Sequence, residues 1–381
     1  MRKKAFAAAG MVSLSLCMFM CVNGAEHSGN AEETVQLKNC PISHQDGSSG
    51  LYLEMSIEDF NDLGFAYGDT VDLAFSNGYE MEEVPYFTGY YTEPYQPVMV
   101  AYPGHVKVRV TINYGEDLWE VAGLEKGDTV SVSMHEKGGR LDEQKASDLH
   151  YTDVREDYAS DEVFSNFREV TVGNVKKGTM YRSASPCDNI HRRASCTDRL
   201  ASEAGIKCIV DLADSDQKIE AFLASEDFDS PFFKELYTNH KVLPLSLTMN
   251  YLDVKFQKAL AEGLTAMAQE EGPYLIHCQE GKDRTGFVCM LVEGLCGASY
   301  QEIVEDYMVT YDNYYGINRE KDPERYETIK RRNIDFMIRE VISDENVDIT
   351  KADLAGYVKD YLLRIGMDEQ TIDRLRERFV Q

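Results

Sequence analysis

HCQEGKDRTG, residues 277–286, sits between the apolar run YLI (274–276) and the apolar run FVCMLVEGLCG (287–297). The first run is short and follows Pro273, which reads as a buried strand; the second is long enough for a helix. A strand that turns tightly into a helix leaves the turn at the carboxyl end of a sheet, where open α/β sheets place their sites. The turn's backbone N–H groups then point inward, with the positive end of the helix behind them, and together they make a cradle for an anion. Gly281 permits the close backbone approach. Arg284 can grip two oxygens of one anion with its planar fork, which a lysine cannot do. Cys278 falls at the base of the cradle, in surroundings that favour a thiolate.

The flanking sequence supplies the rest of such a fold. GIKCIVDLA (205–213) and VLPLSL (242–247) read as further buried strands. VKFQKALAEGLTAMAQEEG (254–272) reads as a helix stopped by Gly272 and Pro273, and Ser299 with Glu302 makes a capping-box start for SYQEIVEDYMVTYDNYY (299–315). Alternating strands and helices predict an α/β domain over 164–381, a parallel-rich central sheet with helices on both faces and a helical C-terminus. Before it, 51–135 alternates as strands do: Val71, Leu73 and Phe75, then Val106, Val108, Val110 and Ile112, with turn signals between. A small β-rich domain is expected there. Gly68-Asp69-Thr70-Val71 recurs as Gly127-Asp128-Thr129-Val130, which fits a pseudo-symmetric barrel or sandwich, or a reused turn. Tyr86, Phe87, Tyr90, Tyr91, Tyr95 and Tyr102 crowd one part of it and read as packing before a binding surface. Trp119 reads as a packing anchor. The charged stretch 136–163 reads as a linker, and the polar stretch 25–50 as a flexible leader.

Arg2, Lys3 and Lys4 precede a long apolar run ending near Gly24 and Ala25, the pattern of a signal peptide over 1–24. The expectation is a secreted or cell-envelope protein with no stable membrane insertion after cleavage; an uncleaved anchor is the alternative. Seven cysteines follow that segment, without CxxC pairs or zinc spacing, so few or no disulfides and a reduced Cys278 are expected. The formal net charge of −27 argues against nucleic acid and anionic lipid as partners.

The ten-residue loop resembles the signature of the cysteine-dependent protein tyrosine phosphatase superfamily, His-Cys, five residues, Arg-Ser/Thr. Its Gly-Lys-Asp-Arg-Thr form resembles the bacterial tyrosine, dual-specificity and lipid phosphatase branch. SNFREV (165–170), MYRSASP (180–186) and GIKCIVDLA resemble further segments of that branch, although Ala213 stands where an arginine is usual. The resemblance covers about 160–380.

What the resemblance implies is a cysteine phosphatase fold and hydrolysis of phosphomonoesters through a phosphocysteine, without metal or other cofactor. Cys278 is the implied nucleophile and Arg284 the phosphate clamp. Gln279, Glu280, Gly281, Lys282, Thr285 and Gly286 complete the phosphate site, with Thr285 assisting departure of the thiolate and His277 and Asp211 in support. Many members take their acid from a loop about thirty residues earlier, where Asp253 is the only acid here; branches with Lys-Asp-Arg use the loop aspartate, so Asp283 is the expected acid, with Asp253 and Asp214 as alternatives. Glu280 beside an incoming anion has no account at this level. Phosphotyrosine or another phosphoprotein is the favoured substrate. Inositol phosphates or phosphoinositides are the alternative, with Lys282, Lys218, Arg192 and Arg193 as candidate rim cations. A catalytically silent phosphate-binding module and a sulfur-transfer enzyme are the readings of another class.

Overall fold

The computed structural model describes residues 35–45 and 49–380. The expected signal peptide, 1–24, and the first part of the expected leader lie outside them. Among the described residues no helix is long and apolar enough to cross a membrane.

Seven strands close a barrel: β1 (Gln36–Ser43), β2 (Leu51–Ser56), β3 (Thr70–Phe75), β4 (Glu80–Phe87), β5 (Pro97–Val100), β6 (Lys107–Ile112) and β7 (Thr129–Glu136), in the order β1-β2-β6-β5-β4-β3-β7. Period-two burial explains the closure. Val71, Leu73, Phe75, Val108, Val110, Val130 and Val132 all enter one core, while Val106 lies outside β6 and is 72% exposed. The reading of a flexible leader is corrected, and the repeat finds its structural reason. The described end of the leader is not flexible, because Gln36–Ser43 pairs with both β2 and β7 and seals the barrel. The repeated Gly-Asp-Thr-Val is a shared structural device: each copy opens a strand, β3 or β7, and these pair antiparallel. In both copies the aspartate carboxylate accepts the N–H three residues back, Asp69 from Ala66 at 2.7 Å and Asp128 from Glu125 at 2.8 Å.

The second sheet holds β8 (Arg168–Glu169), β9 (Met180–Ser183), β10 (Cys208–Asp211), β11 (Val242–Pro244) and β12 (Tyr274–His277), in the order β11-β10-β12-β9-β8. All neighbours are parallel except the edge pair β8–β9. Alternate residues serve two cores. Cys208, Val210, Tyr274 and Ile276 face the helices of the C-terminal half; Ile209 and Leu275 face the helices between 194 and 238. Helices therefore cover both faces, as parallel sheets require. The helix after β12, Asp283–Leu295, is buried nearly all round and runs through the larger core.

Residues 136–163 are not a bare linker. They form the helix Leu141–Ser147 and a short turn of helix at Asp161–Phe164, and between these Tyr151 stacks on Tyr314 with ring centroids 5.2 Å apart. The barrel packs directly on the second domain through Tyr114, whose ring lies 4.8 Å from Phe336 and 5.9 Å from Tyr251.

Candidate active site

Strand β12 ends at His277 and the next helix begins at Asp283, so Cys278–Lys282 form the turn. Three consecutive carbonyls of that turn are pulled outward. Gln279 O accepts from Ser185 N at 3.1 Å, Glu280 O from the Tyr314 hydroxyl at 2.8 Å, and Gly281 O from Asn166 Nδ2 and Arg182 Nη2, both at 3.1 Å. Peptide planes turned this way present their N–H groups to the interior, and the N–H groups of Gln279, Glu280, Gly281 and Lys282 meet no acceptor among the described residues. The cradle inferred from the loop is thus built by residues of the segments SNFREV and MYRSASP together with Tyr314. Gly281 has φ +68°, and a Cβ there would lie 2.2 Å from Ser183 O, so the close packing needs glycine.

Behind the turn sits a buried ion cluster. Asp306 receives Arg168 Nε at 2.9 Å and Arg182 Nη1 at 2.6 Å. Burial opposes ionisation of Asp306, but the two guanidinium groups outweigh it and hold its carboxyl well below the usual range. Arg182 thereby becomes a fixed strut from the helix Tyr300–Tyr315 to Gly281.

Within the cradle, Cys278 is 3% exposed. Arg284 Nη1 donates to Leu247 O at 3.0 Å, and its Nε has no partner among the described residues, so the guanidinium is oriented with donors to spare. Among the described residues Thr285 Oγ1 is also buried without a partner. His277 is fully buried, with Nδ1 3.3 Å from Cys278 O; burial pushes its pKa down to about 4, so the ring is neutral and acts on the backbone of the loop. Gly286 lies under Tyr307, where an added Cβ would clash at 2.4 Å.

The structure separates the candidate acids. Asp283 faces a cavity at the loop's rim, beside Lys282 at 3.8 Å. Burial raises its carboxyl pKa, against the pull of Lys282 and with help from Glu280. Asp253 is instead the N-cap of the helix Val254–Met267 and accepts from Lys255 N at 2.8 Å. Asp211 accepts from the N–H groups of Ala213 and Asp214, so it shapes the turn after β10. Asp214 is buried with Oδ1 3.4 Å from Lys218, and burial pushes both carboxyls up to about 6. Cys187, Asp211 and Asp214 place donor atoms within 4.8 Å of one another, the only set among the described residues that could hold a metal ion.

Glu280, unexplained in the sequence, ties the rim together. Its carboxylate accepts the Tyr151 hydroxyl at 2.5 Å and pairs with Lys282 Nζ at 2.8 Å. Burial works against its charge, yet Lys282 and Tyr151 keep its pKa below the usual value. Lys282 is therefore partly neutralised within the rim. The other proposed rim cations are elsewhere. Arg193 is 2% exposed and is held by Asp153, Phe164 O and four aromatic rings; Lys218 and Arg192 are exposed and do not line the cavity. Tyr151 was invisible as a site residue because its partner Glu280 lies 129 residues away in sequence. The seven cysteines among the described residues are all free.

Residues 162–381 match the tyrosine phosphatase family. A curated relative is the triple specificity protein phosphatase PtpB of Mycobacterium tuberculosis, 29% identical over 137 residues, covering 32% of this chain and 48% of PtpB. The chain thus spans about half the length of that relative. Two solved structures are similar: the core catalytic domain of the PP-IP phosphatase SIW14 from S. cerevisiae (22% identity, 48% of this chain and 93% of that one, TM-score 0.26) and TpbA from P. aeruginosa in complex with pTyr (19%, 45% and 92%, TM-score 0.26). The match runs over more than half the chain and takes in the loop, both segments that clamp it and the helices behind it, and on that ground the chain belongs to the tyrosine phosphatase family.

Proposed function

We propose that this protein hydrolyses phosphomonoesters through a phosphocysteine intermediate, with phosphotyrosine or another phosphoprotein group as substrate. The observation that carries the reading is the turn itself. Cys278, four N–H groups without acceptors among the described residues, an oriented Arg284 and an Asp283 with a raised pKa all lie within seven residues, 278–284. Cys278 attacks phosphorus while the N–H groups and Arg284 hold the three equatorial oxygens. Asp283 gives its proton to the leaving oxygen as the P–O bond breaks. Water then attacks the phosphocysteine, Asp283 takes a proton from it, and the thiolate leaves with Thr285 Oγ1 as hydrogen-bond donor. Inorganic phosphate is released. The basic-apolar N-terminal pattern supports an extracytoplasmic site of action.

The test is hydrolysis of phenyl phosphate with chelator and reductant present. Wild type is expected to turn over, Cys278→Ser to lose at least about 10³-fold and Asp283→Asn about 10²–10⁴-fold in kcat. A folded, reduced wild type without activity would favour the silent binding module.

A further inference from the structure

Between the barrel and the loop lies a cavity of ≈ 710 Å³. One wall is barrel: Tyr90, Tyr91, Tyr102 and Tyr114. The floor is the rim of the loop, Lys282 and Asp283, with Tyr315 from the helix Tyr300–Tyr315 beside them. Resting on the phosphatase reading above, we propose that this cavity is the leaving-group site, and that the barrel is its specificity element, selecting monophosphates on a large, uncharged, aromatic leaving group.

Two observations carry this. An acid that protonates a leaving group must face it, and Asp283 faces this cavity. The alternative acid Asp253 does not line it. The leaving group of any substrate positioned for Asp283 therefore extends toward the barrel. The second observation is the charge of the walls. Their two full cations are already answered: Lys282 by Glu280 and Asp283, and Arg332 by Glu93 and Glu143, each at 3.6 Å. A ring bearing several phosphates would meet carboxylates with no uncommitted cation, a costly pairing. An aromatic ring would meet tyrosine faces in a space of the size that holds drug-sized ligands. Tyr90 and Tyr102 are 37% and 47% exposed, which suits a wall better than a core. The aromatic cluster of the sequence is thus divided: Tyr86 and Phe87 are fully buried packing, whereas Tyr90, Tyr91 and Tyr102 turn to the cavity.

The experiment compares kcat/KM for phenyl phosphate, a phosphotyrosine hexapeptide and inositol hexakisphosphate, in wild type, Tyr90→Ala/Tyr102→Ala and Tyr102→Arg. Wild type should favour the peptide over inositol hexakisphosphate by at least about 100-fold. In the double variant the peptide-to-phenyl-phosphate ratio should fall about tenfold, chiefly through KM, since truncating contact aromatics typically costs this much. Tyr102→Arg should raise the relative rate on inositol hexakisphosphate. A wild type that prefers inositol hexakisphosphate, or ratios unchanged in both variants, would overturn the proposal while leaving phenyl phosphate turnover intact. Absence of phenyl phosphate turnover in wild type would remove the phosphatase reading and this one with it.

Discussion

Asp283 is proposed to act first as an acid and then as a base, and its surroundings suit both acts. Burial raises its pKa above that of an ordinary aspartate, while Lys282 at 3.8 Å limits the rise. A raised carboxyl keeps its proton to higher pH, so the step that protonates the leaving group weakens as pH rises through Asp283's pKa. The expected result is a falling limb of kcat against pH in wild type that is absent in Asp283→Asn, measured with phenyl phosphate as a poor leaving group. Glu280 acts at one remove: Glu280→Gln keeps an acceptor for Tyr151 but frees Lys282 of one counter-charge. Asp283 would then feel Lys282 more strongly, so the same limb should move to lower pH. A limb in the same place in both proteins would deny Glu280 this role.

The loop is held by elements far from it in sequence. Asp306→Asn would leave Arg168 and Arg182 buried with less compensation, a change that typically costs about 3–5 kcal/mol; a shifted urea midpoint reads it. Gly281→Ala would force a side chain into φ +68° and against Ser183 O, costing on the order of 3 kcal/mol and distorting the cradle. The same contrast between local and distant explains what the sequence could and could not reveal. Strand β12, the turn, the following helix and the Ser299–Glu302 capping box are local patterns, and each stands where its residues predicted. The hydrogen bond from Tyr151 to Glu280 joins residues 129 apart, and no local pattern announces it. Strand β1 was hidden for another reason. A bulge between Leu37 and Cys40, with Asn39 at φ +51°, breaks the alternation that marks a strand, and Pro41 reads as a breaker.

At the scale of the molecule, the barrel and the phosphatase domain share a hydrophobic seam. Tyr114 of the barrel packs on Tyr251 and Phe336, and Tyr251 stacks on Phe287 of the loop's own helix at 4.7 Å. That chain of rings links the barrel to the helix that begins at Asp283. Tyr114→Ala should therefore cost about 3 kcal/mol of stability and also lower kcat on phenyl phosphate, whereas a barrel that merely sits beside the enzyme would give the first effect without the second. Glu93, paired with Arg331 at 3.0 Å, and Tyr95, whose hydroxyl meets Glu340 at 3.0 Å, add polar ties at the same seam.

Hydrolysis through a phosphocysteine requires a covalent bond between Cys278 and phosphorus. The most direct measurement is rapid acid quench of the Asp283→Asn protein during turnover of p-nitrophenyl phosphate, whose leaving group departs without needing a proton, with chelator present, followed by peptide mass spectrometry. A phosphate is expected on the peptide containing Cys278, lost in a Cys278→Ser protein together with activity. Turnover without a phosphorylated Cys278, combined with wild-type rates in Cys278→Ser, would contradict it.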